Sequence, residues 1–79
     1  GAEVRSARGR ADAVVKTPKY IYVFEFKLNG TAEQALLQID EKGYLISYQA
    51  DGREVVKVGV EFSAEKRNIE RWLCRLNNY

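Results

Sequence analysis

A chain of 79 residues allows one small domain, and 46% hydrophobic with 30% charged residues is the composition of an ordinary soluble globule. No apolar run nears the ~20 residues that a membrane helix needs, and a net charge of +2 is too small to indicate a polyanion partner by itself. Histidine is absent and Cys74 is the single cysteine, which excludes histidine triads, imidazole metal clusters and an internal disulfide, and makes a reducing cytoplasm the expected setting. The start Gly1-Ala2 carries no signal-peptide pattern, and the chain reads as one domain, residues 1–79, from a longer protein.

Arg5, Arg8 and Arg10 place three guanidinium groups within six residues. They fit either a solvated N-terminal segment or a set of phosphate contacts beside a site. Arg10–Lys16 reads as a strand with Asp12, Val14 and Lys16 on one face. Thr17-Pro18-Lys19 is a turn, because proline fixes φ and removes a donor. Tyr20–Leu28, YIYVFEFKL, is the longest run rich in aromatic and β-branched residues, and it alternates with period two. Tyr20, Tyr22, Phe24, Phe26 and Leu28 share one face; Ile21, Val23, Glu25 and Lys27 share the other. An acid and a base two residues apart break an otherwise apolar pattern, and such breaks tend to fall at functional sites.

Thr31 is a helix N-cap with Gln34 in the capping-box position, and Ala32, Ala35, Leu36 and Ile39 form one stripe of a helix over Ala32–Lys42. Gly43 is its left-handed stop. Tyr44–Gln49 fits a helix extension, a turn or an edge strand. Glu54–Phe62 reads as a central, buried strand, and a crossover helix between it and Tyr20–Leu28 makes the two parallel. Asn68–Leu76 fits a strand or a helix; the short link before it favours a hairpin strand. Trp72 and the tyrosines read as core or edge packing, Cys74 as a small buried residue, and Lys57 as a residue that snorkels or pairs with an acid. Arg53, Lys66, Arg67, Arg71 and Arg75 read as solvated, with tracking of a phosphate backbone by a few of them as the alternative.

A hairpin between the first two of these strands brings Asp12 beside Glu25. Two adjacent carboxylates repel and call for a cation between them. Mg2+ suits the pair, since it takes oxygen ligands, keeps several waters and uses only one or two carboxylates. Lys27, on the Glu25 side, can hold a water or neutralise charge on a reacting phosphate. The alternative is a cross-strand salt bridge on a solvated sheet face.

The segments GRADAVV, YVFEFKL and AEQALLQIDEKGY resemble the core of the PD-(D/E)xK nuclease superfamily. They are most similar to nuclease-like domains at the carboxy-terminal end of proteins with an AAA-type ATPase domain, and VVKVGVEFSAEKRNIERWL resembles that family's closing hairpin. The resemblance implies an α+β, restriction-endonuclease-like core: a small mixed sheet with one main crossover helix, here lacking the family's first helix. It implies phosphodiester hydrolysis of nucleic acid, DNA first, with Mg2+ or Mn2+. Asp12 and Glu25 would be metal ligands, Lys27 the catalytic lysine and Gln38 an assisting residue. Arg8, Arg10 and Lys42 are candidate phosphate contacts; Lys42 stands where some branches carry a tyrosine. The other function that fits is a catalytically silent binding or regulatory module attached to an ATPase domain. A sheet lacking that first helix exposes the aromatic face of Tyr22, Phe24 and Phe26, from which a homo-oligomer is expected.

Overall fold

A computed structural model describes the backbone of Ala2–Val4 and residues 11–77. Five strands form one sheet in the order β1 (Ala2–Val4), β2 (Ala13–Lys16), β3 (Tyr20–Leu28), β4 (Glu54–Ser63), β5 (Asn68–Leu76). All neighbours are antiparallel except β3 and β4, which run parallel from Tyr20 beside Glu54 to Leu28 beside Phe62. A tight hairpin cannot join parallel strands, so the chain crosses through α1 (Ala32–Glu41) and a short 3-10 turn, η1 (Ile46–Tyr48). This is the expected α+β class, with the crossover and the mixed sheet where the pattern placed them. Asn68–Leu76 is a strand throughout, and Tyr44–Gln49 resolves into a turn followed by η1.

α1 covers one sheet face. Its stripe of Ala32, Ala35, Leu36 and Ile39 is buried against Ile21, Val23 and Val55, all fully enclosed or nearly so. Its start is held twice. Thr31 Oγ1 accepts from Gln34 N–H while Gln34 Oε1 accepts from Thr31 N–H, the reciprocal capping box. Glu61 of β4 accepts from Ala32 N–H at 2.9 Å and pairs with Arg71, which also binds Glu33. The helix end is therefore clamped to β4 and β5. Thr31→Ala removes one of these holds and should cost about 1 kcal/mol of stability, read by urea unfolding with an unchanged slope.

The opposite face is apolar across three strands. The register aligns Phe24, Val58 and Cys74 in one row and Phe26, Val60 and Trp72 in the next. Trp72 is 64% exposed on the edge strand β5, within the core-or-edge packing expected of it, whereas Cys74 is exposed and not the small buried residue expected. The reason is positional: both lie on the far side of β5, where no helix is packed among the described residues. Lys57 meets its acid, Asp40, at 2.9 Å. Arg71 is exposed, as expected, and also pairs with Glu33 and Glu61, while Arg53 is half-buried and grips Asp51 and the Thr17 carbonyl. No helix among the described residues is long and apolar enough to cross a membrane.

Candidate active site

The site lies on the α1 side of the sheet, at the β2–β3 hairpin. Ala13 pairs with Phe24 and Val14 with Val23, and just before β2 the Asp12 N–H donates to the Phe24 carbonyl at 3.1 Å. That register sets Asp12 beside Glu25 on one face. Asp12 Oδ2 accepts from the Phe26 N–H at 2.8 Å, which fixes the carboxylate along the strand. The regular strand β2 starts at Ala13, shorter than the expected Arg10–Lys16.

Glu25 is the only charged residue buried among the described residues, at 4% exposure, and its Oε2 has no hydrogen-bond partner. Burial pushes its carboxyl up from 4.5 to about 7, helped by the hydrogen bond and the negative charge of Asp12. The Tyr44 hydroxyl and the Lys27 charge oppose that rise. A buried acceptor without a partner is costly, and such groups call for an explanation. An oxygen-seeking cation at this position would supply one.

Lys27 follows Glu25 by two residues on the same face, and its Nζ donates to Gln38 Oε1 of α1. Gln38 Nε2 in turn donates to the Tyr44 hydroxyl at 3.2 Å. Asp12, Glu25, Lys27 and Gln38 thus come together, and Tyr44 joins them. The sequence reading missed Tyr44 because it lies six residues past Gln38, beyond the helix end, where no helical period links the two. A signal was present. Lys42 is the C-cap and Gly43, at φ 67°, the left-handed residue after it. The next residue of that motif commonly folds back onto the last turn of the helix. Tyr44 does so, and is buried in one cluster with Ile39.

Lys42 closes α1 with its N–H on the Gln38 and Asp40 carbonyls, and its side chain is exposed. Arg8 and Arg10 lie outside the described residues. Among the described residues no three His, Cys, Asp or Glu side chains converge as a metal cage. The donor set is two carboxylates, which fits Mg2+ or Mn2+ retaining water and sharing substrate oxygens better than it fits a cation caged by protein alone.

Three comparisons bear on this geometry. The chain is 39% identical over 75 aligned residues to a protein of Azotobacter chroococcum mcd 1 described only as an uncharacterized protein in the vnfD 5′ region. The match covers 87% of this chain and 14% of that relative, so the chain spans about a seventh of its length. No solved structure matches. The family described as the PD-(D/E)XK nuclease superfamily matches residues 1–72, and the chain belongs to that superfamily.

Proposed function

We propose that this chain hydrolyses phosphodiester bonds in nucleic acid, DNA first, with Mg2+ or Mn2+ bound by Asp12 and Glu25. The observation that carries this is the buried, unpartnered Glu25 Oε2 beside Asp12, with the Lys27 ammonium on the same face. Members of the superfamily generally act with divalent metals, and nucleic acid is the substrate class that its name implies. When bound, such an ion lowers the pKa of a coordinated water and draws charge from the phosphate. The protein's part is separate. Asp12 is pinned through Oδ2 by the Phe26 N–H, which holds its carboxylate beside Glu25. Lys27 is directed by Gln38 and brings positive charge to where a phosphate gains negative charge. A neighbouring ATPase domain and self-association through the exposed aromatic face extend this reading, on the resemblance and on that face's exposure respectively.

A labelled DNA duplex and a single strand incubated with the protein should be cut with Mg2+ or Mn2+ and left intact with EDTA. Asp12→Asn and Lys27→Ala should each lower the rate about 10²- to 10³-fold with the circular dichroism spectrum unchanged. Cleavage that persists in both variants would assign the activity elsewhere. Metal binding without cleavage of DNA or RNA would leave the silent-module reading.

A further inference from the structure

Lys27 has a second acidic neighbour besides Glu25. Glu61 stands directly beside it in the parallel ladder of β3 and β4, where paired residues project to the same side of the sheet. Both side chains lie at the start of α1. Lys27 Cβ is beneath Gly30, and Glu61 Oε1 accepts from the Ala32 N–H at 2.9 Å. The Glu61 side chain is only 15% exposed, so water screens its charge little. Opposite charges set side by side in such a place attract. Here each is engaged elsewhere: Lys27 Nζ donates to Gln38, and Glu61 pairs with Arg71.

We propose that Arg71 is a positioning residue for Lys27: by occupying Glu61 it leaves the Lys27 ammonium to the site formed with Asp12 and Glu25. Lys27, Glu61 and Arg71 form one row across β3, β4 and β5, with the single acid between two bases. The acid can serve either base, and the one held in place takes it. Arg71 is held by Glu33, whose two oxygens accept from Nη1 and Nη2 at 2.9 and 2.8 Å. A two-pronged contact of this kind fixes the plane of a guanidinium. Nη1 then also donates to Glu61 Oε1 at 2.9 Å, the same oxygen that takes the Ala32 N–H. The arrangement reconciles two demands that conflict. An acid is needed at Glu61 to receive the first turn of α1, and that acid stands where it would draw Lys27 aside. Arg71 itself stands two strands from Lys27, at the sheet edge, so it acts only through Glu61.

The catalytic consequence rests on the nuclease reading, but the positioning does not, and the test separates them. In the full chain, Arg71→Met keeps an apolar stem and releases Glu61 to Lys27. It should lower kcat roughly tenfold, with KM within about twofold. Glu61→Gln keeps an oxygen for the Ala32 N–H and removes the charge, so its kcat should stay within about twofold of the wild type. The double variant Arg71→Met with Glu61→Gln should regain what Arg71→Met loses, because no acid is left beside Lys27. Arg71→Lys, which keeps the charge, should lie nearer the wild type than Arg71→Met. A merely structural Arg71 gives the opposite order: the double variant has lost both charges of the clamp on α1 and should be the worst of the set. That order would overturn the proposal. So would an Arg71→Met chain as active as the wild type, or one that fails to fold by circular dichroism. In protein labelled with 15N-lysine, the Lys27 Nζ signal should move in Arg71→Met and return in the double variant; a signal that does not move, or does not return, counts against the proposal. If the wild type cuts no nucleic acid, the nuclease reading fails, and the Nζ signal still decides the role of Arg71.

Discussion

Glu25→Gln is expected to remove cleavage and at the same time to stabilise the metal-free protein at pH 8. The amide cannot serve as an anionic ligand, so turnover should fall about 10³-fold. Stability moves the other way because of where the carboxyl sits. Its pKa is raised from 4.5 to about 7, so the folded chain holds a proton that the unfolded chain has already released. Between those two values stability declines as pH rises, and above about 7 the full loss is present. At ~1.4 kcal/mol per tenfold change in proton affinity, the loss is about 3 kcal/mol. Glutamine carries no such penalty, and its NH2 can donate to Asp12 where the carboxylate repelled it. Urea unfolding from pH 4.5 to 8 should show the wild type weakening across the window and Glu25→Gln flat across it. Mg2+ should raise the Tm of the wild type more at pH 8 than at pH 5.5, because the proton competes for the same oxygen, and should leave the variant unmoved. A wild type whose stability is level from pH 4.5 to 8 would show that Glu25 is not strained by burial.

Gly59→Ala is expected to be among the most damaging single changes in the fold. Gly59 lies beside Glu25 in the parallel ladder, under the first turn of α1. A Cβ there would come within 2.3 Å of the Ala32 carbonyl oxygen and 3.1 Å of both Ala35 Cβ and Leu36 Cγ. The closest obstacle is helix backbone, which cannot rotate aside as a long side chain can. Relief requires α1 to lift from the sheet, where Ala32, Ala35 and Ile39 are wholly enclosed. Overpacking of this kind costs about 1–3 kcal/mol and more where backbone must move. For a domain of this length the upper figure lowers Tm by roughly 10–20 °C. The site should suffer as well, since α1 carries Gln38 to Lys27. Thermal unfolding with a Tm within about 2 °C of the wild type would mean that the helix is not seated as closely as the glycine implies.

Much of this was open to reading from pattern alone, for a local reason. The alternation of Tyr20–Leu28, the Thr31/Gln34 cap and the Gly43 stop each depend on residues a few places apart, and each appears where expected. Parallel pairing of β3 with β4 followed from a helix standing between two strands. Other features depend on residues distant in the chain. The far face of β5 is uncovered, and for that reason Trp72 and Cys74 stand exposed despite apolar side chains. Arg71 is the exposed cation its sequence context suggests, but its two partners, Glu61 and Glu33, come from two other elements and could not be paired with it from neighbouring residues.

The sequence by itself determined β2, β3, α1 and β4 in their order, and the presence of an acid–x–base pair on an apolar strand, because strand and helix periods are written into neighbouring residues. The tertiary structure alone decided which oxygen is left without a partner, which glycine admits the helix, and that the Tyr44 hydroxyl meets Gln38. Those depend on register and close approach, and a shift of one residue in the β2–β3 hairpin would send Asp12 to the other side of the sheet.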